Sequence, residues 1–123
     1  MAARGATPRL THLRVTFSEK FYIGPGRADL LEGIADTGSI AAAGKRMGMS
    51  YKRAWSLVQA MNDGWGAPLV EASRGGAGQG GATLTADGEL VLARYRAMEE
   101  ATRRAIASDA AAMARRLDIA SRK

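Results

Sequence analysis

The 123 residues contain no cysteine, which excludes disulfides and thiolate metal sites and suits a reducing compartment. Histidine occurs once, as His12, so imidazole ligand pairs and nucleophile–histidine sets are out of reach, and His12 itself reads as an exposed tail or strand-edge residue. Aromatics make up only 6% of the chain while alanine and glycine abound, so the core has to be closely packed and built from small side chains. No apolar run approaches the roughly 20 residues of a membrane helix, and "MAARGATPRL" lacks the apolar stretch of a signal peptide. The expectation is a soluble cytoplasmic protein with no membrane partner, no metal and no cofactor. Length allows one domain and an appended element.

What is present in excess is positive charge. The formal net charge is +6, from 18 Lys+Arg against 12 Asp+Glu, and its placement is uneven. Between Ser39 and Gly81 five bases (Lys45, Arg46, Lys52, Arg53, Arg74) face two acids, Asp63 and Glu71. A local surplus of this kind favours a polyanionic partner, and double-stranded DNA leads the candidates.

"LRVTFSEKFYIG" alternates β-branched and aromatic residues with polar ones and reads as a strand, bent into a small hairpin near Glu19 and Lys20. "GPGR" breaks it. Leu30, Leu31 and Ile34 then recur at helical spacing from Arg27 to Asp36. Ser39 is an N-cap for a short helix carrying Ile40, Ala43 and Met47 on one face, and Gly48 ends it. Ser50 caps the next helix, with Ala54, Val58 and Met61 inward and Leu57 beside them. "LVEAS" and "ATL" are short strands either side of a glycine loop, and Thr85 caps a last helix from Ala86 to about Leu117. At about 1.5 Å per residue that helix spans ~48 Å.

The loop holds Gly76, Gly78 and Gly81 in G-x-G-x-x-G order. A dinucleotide-binding loop follows a strand and opens directly into a helix within a βαβ unit. Here the glycines run into the strand-like "ATL", so that chemistry is excluded. Seven residues with five glycines join two antiparallel strands, and the hairpin is placed as the wing after a helix-turn-helix. Its backbone can come close to phosphates, with Arg74 supplying charge at the mouth.

"SIAAAGKRMGMSYKRAWSLVQAMN" has the features of that helix-turn-helix. Ala43 and Gly44 are small where two helices cross, Gly48 is the flexible turn residue, and Met47, Met49 and Met61 are assigned to the core. Ser50, Tyr51, Lys52, Arg53 and Ser56 offer polar and basic groups at the N-terminal end of the second helix, the end that enters a major groove. Arg53 suits either a bidentate bond to guanine or a phosphate, and Tyr51 and Trp55 suit the core or its rim as well as a base. The expected DNA-binding set is Ser39, Ser50, Tyr51, Lys52, Arg53, Ser56, Arg74, Gly76 and Gly78.

"GSIAAAGKRMGMSYKRAWSLVQAMN" followed by "PLVEASRGGAGQGGATLTADGELVLARY" resembles the N-terminal DNA-binding domain of the ModE-type molybdate-responsive transcriptional regulators. The likeness runs from the first strand to about residue 105, and a more distant one is to the LysR-type helix-turn-helix. It implies a winged helix-turn-helix, a dimer built partly from the last helix, and a palindromic operator. Full-length members of that family carry molybdate-binding domains after this region. With only "DIASRK" beyond Leu117, a molybdate site within this chain is not expected, and a small-molecule effector stays unspecified.

The expected fold is therefore mainly α with small β. A flexible tail (1–12) precedes a winged helix-turn-helix (13–85) and a long C-terminal dimerisation helix (86–123). Along that helix Val91, Tyr95, Met98, Thr102, Ala105 and Ala112 with Met113 form a stripe for a second copy. Three rivals are weighed against the DNA reading. An enzyme lacks a nucleophile–base set; Glu99 and Glu100 lie on a helix among bases and read as a solvated face. A winged-helix adaptor should lack the basic face kept here. An oxyanion-responsive protein would need a site at the wing glycines that nothing in the sequence requires.

Overall fold

A computed structural model describes residues 7–74 and 80–121. Their order is β1 (Val15–Thr16), β2 (Tyr22–Ile23), α1 (Pro25–Thr37), α2 (Ile40–Arg46), α3 (Tyr51–Trp65), β3 (Val70–Arg74), β4 (Gly80–Leu84) and α4 (Ala86–Ser121). Three helices followed by an antiparallel hairpin and a further helix make a winged helix-turn-helix with a long C-terminal helix. The chain forms two compact units, one from His12 to Tyr95 and the other from Arg96 onward together with the segment ending at Thr11. No helix among the described residues is long and apolar enough to cross a membrane.

In the first unit β1 and β2 pair antiparallel, Val15 with Ile23 and Thr16 with Tyr22. Ser18 holds the turn between them, its Oγ accepting from the Lys20 and Phe21 amides. Helix α1 begins two residues earlier than expected. Pro25 occupies its first turn, where a missing N–H costs nothing and φ is already helical. The core joins Leu30, Leu31 and Ile34 of α1 to Ala54, Val58 and Met61 of α3, with Val70 and Ala82 from the hairpin, Leu69 just before it, Ile23 from β2 and Phe21 just before β2. Among the described residues the buried side chains are apolar or aromatic, Tyr95 included. Met47 and Met49, expected in the core, are only half-buried, because α2 has just two turns and ends where they begin.

The helix crossings depend on small residues. A Cβ on Gly33 would lie 2.9 Å from the Ala43 Cβ, and one on Gly44 would lie 2.8 Å from the Ala54 Cβ. Both are shorter than carbon–carbon contact permits, so α1–α2 and α2–α3 approach only at glycine. Gly48 has φ of 72°, and its N–H donates to the Lys45 carbonyl while the Met49 N–H donates to that of Gly44, 2.9 Å. This pair of bonds closes α2 in a Schellman turn and turns the chain toward α3.

Helix α4 runs 36 residues, about 54 Å at its standard rise, four residues past the expected end. Its first turns belong to the first unit. Val91 is buried there and Tyr95 is 0% exposed, with its hydroxyl donating to the Leu13 carbonyl at 2.7 Å. These two residues were expected to face a second copy. They have no surface to offer one, since their own unit covers them.

In the second unit Arg96 pairs with Glu99, and Arg103 and Arg104 both pair with Glu100. Glu99 and Glu100 are thus ion-pair partners along one helix. Ile106, Met113 and Leu117 are exposed large apolar residues, Met113 at 73%. Thr7, Pro8 and Leu10 lie along the same helix and share shallow grooves with Ile106, Ala110 and Leu117.

Candidate nucleic-acid interface

Helix α3 has a sharp division between its faces. Ala54, Val58 and Met61 are buried, while Tyr51, Lys52, Arg53, Trp55 and Ser56 in the first two turns are exposed. The helix starts where it does because the Ser50 Oγ accepts from the Arg53 amide at 3.1 Å. No acidic residue occupies the first turn. Lys52 and Arg53 there meet the positive end of the helix dipole, a local cost of a few tenths of a kcal/mol. Neither side chain forms a hydrogen bond or ion pair with the described residues.

Bases elsewhere are differently placed. Arg46 pairs with Asp36 across α1 and α2 at 3.2 Å, and Arg14 and Arg27 both lie over the Tyr22 ring, 3.6 and 3.8 Å from its centroid. Within the stretch from Ser39 to Gly81, Arg46 is thus partly neutralised by Asp36.

Two surface features flank α3. On one side Ser50, Lys52, Arg53, Ser56 and Leu57 line an open depression of about 330 Å³. On the other, Tyr51, Trp55 and Gln59 border a groove of about 290 Å³ whose opposite walls are Ser39, Ile40 and Ala41 at the start of α2 and Glu71, Gly80 and Gly81 of the hairpin. The predicted Ser39, Ser50, Tyr51, Lys52, Arg53 and Ser56 thus gather around the exposed end of one helix. Ser39 and Ser50 act as caps, the Ser39 Oγ accepting from the Ala42 amide at 3.0 Å. Trp55, Gln59 and Ile40 were not among the predicted set. The four-residue steps from Tyr51 to Gln59 carry the signal that would have found them. Tyr51 and Trp55 are 57% and 46% exposed, which settles them outside the core.

The hairpin pairs in register from Val70 with Leu84 to Arg74 with Gly80. Gly80 and Gly81 are strand residues, so "ATL" is too short a reading of β4. Gly76 and Gly78 fall outside the described residues. The glycines do lead into a strand and not into a helix, since Thr85 follows β4 and its Oγ1 caps α4 by accepting from the Gly88 amide. Asn62, near the end of α3, fixes the hairpin's root. Its Oδ1 accepts from the Leu69 and Val70 amides and its Nδ2 donates to the Val70 carbonyl, 2.8 to 3.2 Å. The Ala82 amide donates to Gly38, and Trp65 Nε1 to Asp87 at 2.8 Å. Helix α3, the hairpin's root and the start of α4 are one hydrogen-bonded body.

Residues 27–89, from α1 into α4, match the model of the bacterial regulatory helix-turn-helix proteins of the lysR family. The chain belongs to that family. Among curated relatives of this lysR-family chain, the molybdenum-pterin-binding protein MopB of Rhodobacter capsulatus is 46% identical over 86 residues, covering 70% of this chain and 32% of MopB. The DNA-binding transcriptional dual regulator ModE of Escherichia coli K12 is 40% identical over 83 residues, again 32% of its length. The chain thus spans about a third of these relatives, and its likeness is to the N-terminal DNA-binding domain of ModE-type regulators. Among solved structures, the crystal structure of a CbnR_DBD–DNA complex superposes with a TM-score of 0.55 at 32% identity, covering 71% of this lysR-family chain and 95% of that one.

Proposed function

We propose that this chain is a sequence-specific DNA-binding transcriptional regulator. The N-terminal turns of α3 enter the major groove, with Ser50, Tyr51, Lys52, Arg53 and Ser56 at the base edges and nearby phosphates. Ser39 approaches the backbone from the start of α2, and the hairpin lies against it with Arg74, Gly76 and Gly78. The observation that carries this reading is a pair of cations, Lys52 and Arg53, with no partner among the described residues, on the exposed first turn of a helix whose opposite face is buried. Buried basic side chains would need partners; exposed ones at this place in a helix-turn-helix meet phosphates or guanine. The likeness to a chain solved with DNA points the same way.

In this proposal two copies pair through α4 and bind a palindromic operator. Met98, Thr102, Ala105, Ala112 and Met113 remain from the predicted stripe, and the exposed Ile106 and Leu117 extend it. The test is selection of genomic fragments by the purified full chain. A recurring two-fold symmetric sequence is expected; recovery in proportion to the input library would refute the reading.

A further inference from the structure

Tyr51 and Trp55 are the large aromatics of α3 that the core does not use. They sit one helical turn apart, both substantially exposed, and border the groove together with Ile40 and the Gly80–Gly81 stretch of β4. Neither the Tyr51 hydroxyl nor the Trp55 indole N–H has a hydrogen-bond partner among the described residues. Folding does not call for the pair, because Ala54, Val58 and Met61 supply the buried face of the same helix. Apolar surface collected beside a groove marks a contact site.

Charge says what kind of contact. Lys52 and Arg53 stand in the same first turn, so a partner that covers this end of α3 meets positive charge as well as aromatic surface. A duplex satisfies both demands at one base. Thymine alone among the four bases presents a methyl group in the major groove, and it does so within a helix of phosphates. We propose that Tyr51 and Trp55 are specificity-determining residues that pack against thymine C5-methyl groups in the operator half-site, while Lys52 and Arg53 take phosphate or guanine. This rests on the DNA-binding reading above and goes further by naming the base chemistry that the groove side of α3 selects.

The methyl group can be removed without touching the protein. In an operator recovered by selection, each thymine is replaced singly by uracil, which keeps its Watson–Crick pairing. Affinity of the full chain is then measured for wild type, Tyr51→Ala and Trp55→Ala. One or two thymines per half-site should lose about three- to fivefold in affinity for wild type, the worth of one buried methyl. At those positions the loss should shrink below about 1.5-fold in at least one alanine variant, because the methyl no longer has a ring to meet. Thermal unfolding of the variants, recorded alongside, should match wild type since both residues are exposed. Trp55→Phe, which keeps an apolar ring and gives up the N–H, should retain the thymine preference. Uracil tolerated everywhere, or an equal loss in wild type and both variants, would overturn the proposal while leaving DNA binding standing. A full chain that selects no DNA overturns both readings.

Discussion

Asn62 is uncharged and lies away from the exposed end of α3, yet its amide engages three backbone groups of Leu69 and Val70 at once. Leu69 and Val70 are buried, so water cannot replace the lost partners cheaply. Asn62→Ala should cost about 2–3 kcal/mol, within the usual range for stranded buried amides and carbonyls. The unfolding midpoint should fall by roughly 10 °C, measurable by circular dichroism, and Asn62→Asp, which keeps the acceptor, should fall less. An unchanged midpoint for the alanine variant would show that the amide is not what ties α3 to the wing. No local spacing marks this residue's role, because its partners are main-chain groups seven and eight positions away. Ser39, Ser50 and Thr85 were legible for the opposite reason: a cap bonds an amide three residues on, and three-residue spacing can be read from the chain. Val91 and Tyr95 show another limit. Helical periodicity identifies an apolar stripe but does not say whether the chain's own hairpin and strands or a second molecule will cover it.

At the level of elements, the helix-turn-helix was the most legible part. Its small crossing residues and its turn glycine are each demanded by a local contact, Gly44 against Ala54 and Gly48 at positive φ. The order of helices, hairpin and final helix followed from runs of one periodicity separated by breakers. The ends of the elements were less so. Pro25 reads as a strand breaker although it also opens α1, and both roles follow from one fixed φ and one missing N–H. Strand β4 begins at Gly80, where no side chain advertises a strand; pairing with Arg74 and Ser73 decides it. The aromatic side of α3 was left open for the same kind of reason. Whether Tyr51 and Trp55 face the core or solvent depends on where Ala54 and Val58 point, and Ala54 points at α2, where Gly44 makes room for it.

Taken whole, the chain combines a winged helix-turn-helix bearing exposed bases with a long helix whose second part leaves Ile106, Met113 and Leu117 exposed. Ile106, Ala110, Met113 and Leu117 fall at alternating four- and three-residue steps, the spacing of a helix–helix seam. Light scattering of the full chain at micromolar concentration should give a dimer, and Met113→Glu with Leu117→Glu should give a monomer. Pairing of that kind would set two half-sites about one DNA turn, ~34 Å, apart. A monomeric wild type would remove the dimer from the account and leave DNA reading by a single head. The central claim is that the exposed end of α3 reads DNA, and its most direct test is a titration of wild type, Lys52→Ala and Arg53→Ala against the selected operator over a series of salt concentrations. Both variants should bind more weakly. A side chain on a phosphate should reduce the salt slope by about 0.9, and one on a base should relax specificity at a single position by ~1–3 kcal/mol. Affinities and slopes that match wild type at every salt concentration in both variants would contradict the claim.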